Sequence, residues 1–251
     1  MLSEPAQLRA AMAYTSYIAH AASTLTVQGR LETRGLPPTL RGGLLAVEDA
    51  GGAGADAEET ARTIAQLCVQ RSFRGTVLTA AAPRERLCLP LAGALERALE
   101  TAGRRLLVSE VYASDVERAA VVVGTALSGG DLRGRLEACT GRWGAERLAV
   151  RVERTRMDFP IPCPTGEGRP LTQEQLHALA RGHSIFFFSE PLCARYFTCS
   201  AGGAPHFVLF DDADTIRRKL AVAAELGIGT ALLDYGQTAD VLAQIFGDVR
   251  G

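Results

Sequence analysis

Acidic side chains lie in or at the end of three apolar runs, where they could donate protons or bind a ligand. Glu48 and Asp49 end "GGLLAVED", Glu110 lies in "RLLVSEVY", and Asp234 follows the apolar residues of "GTALLDYG". A carboxyl group among apolar neighbours can retain its proton at neutral pH, which a general acid must do. Glu110 is the most interesting of these acids, because an acid within an apolar run faces either the interior or a partner.

Each of these acids also has a structural explanation. Glu110 can form an ion pair with one of the many arginines, such as Arg105 or Arg151, and this is the preferred interpretation. Glu48 and Asp49 can be solvated in a loop or can cap a helix, because carboxylates accept hydrogen bonds from the free amides of a first helical turn. Residue type alone therefore does not make any of them catalytic.

The elements that must position these acids are short apolar runs that alternate with helical patterns. Such runs are typical of parallel strands covered on both faces. The predicted strands lie at 13–20, 42–49, 75–80, 105–112, 119–127, 147–153, 184–189 and 229–236. The predicted helices lie at 56–70, 89–103, 131–144, 171–182 and 212–227. This alternation predicts an α/β fold, and its strand count over 251 residues favours a (β/α)8 TIM-type barrel over a doubly wound open sheet.

One segment interrupts the alternation before the last predicted helix. "ARYFTCSAGGAPHFVLFDD" (194–212) predicts a small β-hairpin with a Gly-Gly turn, inserted after the run at 184–189. The Gly/Ala-rich segment 49–59 reads as a loop, and no internal repeat or linker divides the chain. We therefore expect residues 1–251 to form a single barrel domain.

The composition argues against several classes of partner and cofactor. With 47% hydrophobic residues, 22% charged residues and a net charge of −1, the chain has no charge excess that would attract nucleic acid or a membrane surface. The six cysteines and four histidines lack zinc-ligand spacing, so we expect no metal or other cofactor. No signal peptide and no apolar run of about 20 residues are found, which predicts no membrane span and a cytoplasmic location.

The C-terminal third carries a series of motifs that narrows the fold further. "FDD" at 210–212 precedes a helix with Thr215 and Lys219, and a glycine-containing last strand follows. This series resembles the closing signature of the family-18 glycoside hydrolases, the chitinase-like barrels, and within them the spore-associated subgroup that acts on cortex peptidoglycan. "MDFPIPCPTG" (157–166) is similar to a segment after strand seven of that subgroup, and "FRGTVLTAA" (73–81) to strand four. The family's first strand has no clear counterpart, which predicts an incomplete barrel or a poorly formed first strand.

The resemblance also implies that the family's chemistry is missing. In the family, a D-x-x-D-x-D-x-E run ends strand four; its glutamate protonates the leaving oxygen and its last aspartate orients the substrate's N-acetyl group. Thr79 aligns with that aspartate and Ala81 with the glutamate, and residues 75–84 contain no acid. Asp234 takes the place of the tryptophan that ends strand eight. We therefore assign no catalytic residue and keep Glu110 as the fallback acid.

The resemblance adds further candidate residues. Asp158 matches a family aspartate that holds a loop or touches ligand, and His206 falls where the subgroup often has a histidine, which implies a structural role. Asp211 and Asp212 are interpreted as caps of the last predicted helix. The candidate ligand-binding residues are acids and tyrosines: Glu48, Asp49, Glu110, Tyr112, Asp158, Asp234 and Tyr235.

Three functions remain open at this point. The preferred one is a catalytically inactive barrel in sporulation or cell-wall biology that binds a glycan, such as an amino-sugar glycan or a peptidoglycan fragment, or another protein. The second is a glycosidase for N-acetylglucosamine-containing glycans whose acid has moved to Glu110 or Asp234. The third is a structural protein of spore-coat type whose mouth is plugged by its own side chains. The spore context rests on the subgroup resemblance alone.

Overall fold

The computed structural model describes residues 1–182 and 185–247, which form two β-sheets and their covering helices. In chain order the strands are β1 (Leu2–Ser3), β2 (Ala19–Leu25), β3 (Leu31–Thr33), β4 (Leu44–Asp49), β5 (Gly75–Ala80), β6 (Arg105–Ser109), β7 (Ala120–Gly124), β8 (Leu148–Val152), β9 (Arg156–Pro160), β10 (Arg169–Pro170), β11 (Phe187–Ser189), β12 (Ala194–Ala201), β13 (Ala204–Phe210) and β14 (Ala231–Leu233). The α-helices are α1 (Leu8–Ala11), α2 (Ala57–Gln70), α3 (Pro90–Thr101), α4 (Leu132–Trp143), α5 (Gln173–Ala180), α6 (Ala213–Glu225), α7 (Tyr235–Thr238) and α8 (Leu242–Phe246).

Eight of these strands form the parallel barrel that the sequence predicts. Hydrogen bonds connect them in the order β1-β2-β4-β5-β6-β7-β8-β14. A parallel bridge between Leu2 and Asp234 brings β1 beside β14 and nearly closes the barrel. The short strand β3 pairs antiparallel with β2, outside this order. The α/β, TIM-type fold class is therefore confirmed, and β5 is the fourth strand of the barrel.

The structure agrees with the expected poorly formed first strand: β1 has two residues and is defined by its backbone pairing with β2 rather than by an apolar run. Other strand boundaries correct the sequence predictions. The strand predicted at 13–20 begins only at Ala19. The run at 184–189 is not a barrel strand: Ser184 lies outside the described residues, and β11 belongs to the second sheet.

Small and apolar side chains fill the barrel lumen. Seven strands contribute one buried residue each to this cluster: Ala19, Ala46, Val77, Leu107, Val122, Ala149 and Leu232. Leu2 of β1 packs against them. Because successive side chains of a strand point to opposite faces, the residue two positions further along also points into the lumen, one layer nearer the carboxyl-terminal mouth.

The longer helices bury their apolar faces outside the barrel. α2 begins after Asp56, whose side chain accepts a hydrogen bond from the Glu59 amide at 2.9 Å, and it buries Ile64 and Cys68. Both residues belong to a core cluster that also includes Leu91 of α3. Of the helices in residues 1–182 and 185–247, none is long and apolar enough to cross a membrane.

A second, antiparallel sheet is inserted between β8 and α6. Its strand order is β10-β9-β13-β12-β11, and Gly202 and Gly203 form the turn between β12 and β13. The predicted hairpin is therefore confirmed, but the insertion is larger than predicted because β9 and β11 pair with its two outer edges. α5 covers one face of this sheet, where Leu176 packs with Phe197 and Val208.

The start of α6 contains the two acids that were interpreted as caps. Asp212 is the N-cap and forms a capping box with Thr215, as predicted. Asp211 has a different role: it is fully buried, and its Oδ2 accepts hydrogen bonds from Lys219 Nζ at 2.6 Å and from the Thr155 amide at 2.8 Å. The cap interpretation is therefore wrong for Asp211, which forms a buried ion pair with the only lysine of the sequence.

Candidate functional site

The layer of side chains nearest the barrel mouth is polar, in contrast to the apolar layer below it. Two positions beyond Ala46, Val77, Ala149 and Leu232 lie Glu48, Thr79, Arg151 and Asp234, in the same order. The period of two residues per strand turns all four towards the lumen. In barrels of this kind the carboxyl-terminal mouth is the face where functional sites are built.

These four residues line one cavity. Its volume is about 740 Å³, within the size range of small-molecule sites. Other lining residues come from the segment that starts at β1 and from β2 and β3, including Glu4, Ser23 and Glu32. The mouth therefore contains a cavity, whereas the structural-protein alternative predicts a mouth plugged by its own side chains.

β5 presents no acid to this cavity. Thr79 lines it, and its hydroxyl donates a hydrogen bond to the Val47 carbonyl oxygen at 3.4 Å. Ala81 is exposed and does not line the cavity. Because neither a hydroxyl nor a methyl group serves as a general acid at neutral pH, the mouth end of β5 supplies no proton donor.

Arg151 is the cationic centre of the mouth layer. Its Nη2 lies 3.7 Å from Asp234 Oδ2, and its Nε lies 3.3 Å from Glu153 Oε1. The side chains of Arg151 and Asp234 are both about three-quarters buried, with 23% and 22% of their surface exposed. One guanidinium is thus shared by two carboxylates, and Asp234 is held as an ion-pair partner.

Glu48, unlike Asp234, forms no ion pair with an arginine in the part of the chain that the structure describes. It is exposed, it lines the cavity, and it stands opposite Thr79 in the register between β4 and β5. Within the described ranges, no basic side chain forms an ion pair with it and no donor forms a hydrogen bond to its carboxylate. The alternative interpretation of Glu48 as a helix cap is therefore wrong.

Asp49 and Tyr112 lie away from the mouth and stabilise a loop. Asp49 is fully buried, and Asp49 Oδ2 accepts hydrogen bonds from the Cys88 amide at 2.8 Å and the Tyr112 hydroxyl at 3.0 Å. Its Oδ1 accepts from the Gly51 and Gly52 amides at 3.0 and 2.8 Å. Burial and the Asp49 carboxylate raise the pKa of the Tyr112 hydroxyl. The structure places neither residue in the cavity lining, because adjacent strand residues point to opposite faces and Glu48 occupies the lumen side.

Glu110 is also outside the cavity lining. The chain leaves β6 at Ser109, and Glu110 begins a short 3-10 helix instead of continuing the strand. Its carboxylate forms an ion pair with Arg135 of α4, on the outside of the barrel. The interpretation of Glu110 as an ion-paired residue is thus confirmed, with Arg135 in place of the expected Arg105 or Arg151, and the fallback acid does not reach the mouth.

Asp158 and Tyr235 complete the set of predicted residues. Asp158 lies on β9, is nearly buried, and contacts His206 Nδ1 through its Oδ1 at 2.8 Å. His206 Nε2 lies 3.2 Å from the Ala201 carbonyl oxygen, so this histidine links strands of the inserted sheet, in agreement with its predicted structural role. Tyr235 begins α7 and packs against an apolar cluster. Neither Asp158 nor Tyr235 lines the cavity.

Of the seven candidate ligand-binding residues, the structure brings Glu48 and Asp234 together in one cavity. Arg151 was missed as a site residue and considered only as a partner for Glu110. Its signal was available, because Ala149, Arg151 and Glu153 alternate along and beyond β8 with apolar residues between them. In the part of the chain that the structure describes, no cluster of three or more His, Cys, Asp or Glu side chains is arranged to hold a metal ion.

Solved structures similar to this chain are chitinases and spore cortex-lytic enzymes. A chitinase from Chromobacterium violaceum matches with a TM-score of 0.68 at 17% identity, over 100% of this chain and 98% of that one. The spore cortex-lytic enzyme SleL of Bacillus megaterium matches with a TM-score of 0.66 at 15% identity, over 98% and 73% of the two chains. A GH18 chitinase from Cycas revoluta, solved with (GlcNAc)4, matches at 0.61 and 13%, over 100% and 98%.

The expected resemblance to chitinase-like barrels is therefore confirmed for the fold. At 13–17% identity the likeness establishes the architecture alone. No family model matches the sequence, and no curated protein matches it.

Proposed function

We propose that this chain is a glycoside-hydrolase-like barrel that binds an amino-sugar glycan at its mouth without hydrolysing it. The observation that carries the proposal is the 740 Å³ cavity, which keeps a polar lining while its β5 edge presents Thr79 in place of an acid. Hydroxyl, carboxylate and guanidinium groups around a concave site are suited to the many hydroxyls of a sugar. The similar solved structures, which include a chitinase bound to (GlcNAc)4, support an amino sugar as the ligand class.

The remaining acids of the mouth support binding better than catalysis. Asp234 is paired with Arg151, so its carboxylate is held as an acceptor. Glu48 is exposed at the mouth rather than enclosed, so a ligand can reach its carboxylate. Glu110, the fallback acid, is paired with Arg135 away from the cavity. A glycosidase with a relocated acid therefore has weaker support than a binding protein.

The biological setting is proposed on weaker grounds than the binding. The spore cortex-lytic enzymes among the similar structures support a role in sporulation or in cell-wall biology, with a peptidoglycan fragment as one possible form of the glycan. A cytoplasmic or spore-associated location stays a prediction from the sequence. The open cavity gives a structural role of spore-coat type less support than glycan binding.

Blocking the mouth tests the proposal. Thr24 lines the cavity from β2, and Thr24→Trp places a large ring in it. Thr198 is an exposed threonine on β12, so Thr198→Trp is the matched control. Calorimetric titration with chitin-derived and chitosan-derived tetramers should show binding that is lost in Thr24→Trp and retained in Thr198→Trp.

Product analysis of the same mixtures completes the test. We expect no cleavage of either tetramer by the wild-type protein. Cleavage that survives purification and disappears in Glu48→Gln, Asp234→Asn or Glu110→Gln would overturn the non-catalytic proposal. Binding that Thr24→Trp leaves unchanged would show that the mouth is not the site.

A further inference from the structure

The charges that line the mouth cavity do not balance. Four carboxylates line it, and the basic side chains in its lining are two arginines, with no lysine or histidine among the described lining residues. The carboxylates belong to Glu4, Glu32, Glu48 and Asp234, and the guanidiniums belong to Arg34 and Arg151. The formal charge of the lining is therefore −2 at neutral pH.

Both guanidiniums are already engaged by carboxylates. Arg34 pairs with Glu32 at the rim, where 84% of the arginine side chain is exposed. Arg151, deeper in the mouth, is shared between Asp234 and Glu153. An anionic ligand group would meet the net negative charge of the lining as it approached either arginine.

The two carboxylates left over face the cavity without a basic partner. In the described ranges neither Glu4 nor Glu48 forms an ion pair. Glu48 projects from the mouth layer beside Thr79, whose hydroxyl is turned to the Val47 carbonyl oxygen and so does not donate to Glu48. Glu48 is thus an acceptor that a cationic donor can reach.

We infer that the mouth selects an amino sugar with a free, protonated amine over its N-acetylated form. This inference rests on the proposed function and specifies its ligand. An ammonium group supplies the positive charge and the N–H donors that the free carboxylates lack, whereas a neutral acetamide supplies one N–H and no charge. A free carboxylate on the sugar would meet the same negative lining, which disfavours its binding. The ligand class is therefore a glucosamine oligomer.

A comparison of two matched tetramers tests the inference. The probes are tetraglucosamine and tetra-N-acetylglucosamine, titrated calorimetrically at a pH where the free amine is protonated. An exposed carboxylate–ammonium pair changes affinity by about two- to fivefold, so two such pairs give roughly four- to twenty-fivefold tighter binding of tetraglucosamine. The preference should shrink as salt rises from about 0.02 M to about 0.5 M, because exposed charges are then screened.

Two charge-neutralising variants localise the effect. Glu48→Gln should reduce the preference by about two- to fivefold, through weaker binding of tetraglucosamine. Glu174 is an exposed glutamate on α5, outside the cavity lining, so Glu174→Gln removes the same charge from another part of the surface. This control should retain the full preference.

The outcomes separate this inference from the proposed function. Equal binding of the two tetramers, or tighter binding of the acetylated one, overturns the amine selectivity and leaves glycan binding at the mouth intact. A preference that Glu48→Gln does not alter overturns the assignment of Glu48. Failure of both tetramers to bind overturns the proposed function and the inference with it.

Discussion

The buried ion pair between Asp211 and Lys219 gives the sharpest stability prediction, for the substitution Lys219→Met. Both side chains have no exposed surface, and Lys219 Nζ donates to Asp211 Oδ2 at 2.6 Å. The pair joins the end of β13 to α6, where the inserted sheet returns to the barrel. Methionine has nearly the same length as lysine, so this change removes the charge while largely retaining the packing.

The size of the stability loss depends on the hydrogen bonds that Asp211 retains in the variant. Removing one partner of a buried ion pair costs about 3–5 kcal/mol, because the other charge stays buried and unpaired. Asp211 retains hydrogen bonds from the Thr155 amide at 2.8 Å and the Thr215 hydroxyl at 2.9 Å, which favours the lower end of that range. We therefore expect a loss of about 3 kcal/mol, which for a chain of this size lowers the Tm by about 6–12 °C.

Urea unfolding, monitored by circular dichroism, measures this loss of stability. Two further variants serve as controls. The double variant Asp211→Asn/Lys219→Met removes both charges and should recover most of the lost stability. Glu100→Gln breaks an exposed pair with Arg118 and should cost less than about 1 kcal/mol. A Lys219→Met variant within about 1 kcal/mol of wild type, or a double variant as unstable as the single one, would refute the reasoning.

Three further predictions concern the barrel and its loops. Tyr112→Phe removes one of four donors to Asp49 and should lower the free energy of unfolding by about 1–2 kcal/mol in urea titrations; no change would contradict the role of this hydrogen bond. Gly75→Ala should lower the free energy of unfolding by about 2 kcal/mol or more in the same assay, because a Cβ there would lie 2.0 Å from the Arg105 carbonyl oxygen. An unchanged free energy of unfolding would contradict this close approach of β5 to β6. Glu96 is partly buried, which opposes its charge, but hydrogen bonds from the amides of residues 117–119 lower its pKa. A depressed folded-state pKa stabilises the protein above the unfolded value and loses that effect as pH falls through the folded value, so Glu96→Gln should destabilise at pH 7 and match wild type in acid; a pH-independent difference would contradict this.

The sequence predicts the barrel well because its physical signal is local. A strand covered on both faces needs a continuous apolar run, and seven of the eight barrel strands fall in or overlap such a run. The exception is β1, where two residues pair through their backbone and leave no side-chain pattern. The run at 184–189 was wrongly predicted to be a barrel strand, because an apolar run does not indicate which sheet its strand will join.

The site was harder to predict because it depends on which face of a strand each side chain points to, and residue type does not give this. Glu48 and Asp49 are neighbours in sequence, yet one faces the open lumen and the other lies fully buried behind the strand. Strict alternation from the small lumen residue Ala46 would have separated them. Alternation from the lumen residue Leu107 likewise turns Glu110 away from the lumen, and the chain leaves the strand after Ser109.

Binding and hydrolysis place opposite demands on a carboxyl group at the mouth of such a barrel. A general acid must hold a proton at neutral pH, so it needs enclosure and no neighbouring cation. Asp234 lies against Arg151, and Glu48 is exposed, so the structure meets these conditions for neither. An acceptor for a cationic sugar needs the reverse, a carboxylate that the ligand can reach, and Glu48 is exposed at the mouth. Under the proposed function, the exposure of Glu48 and the ion pair of Asp234 therefore favour retention of an amino sugar over its hydrolysis.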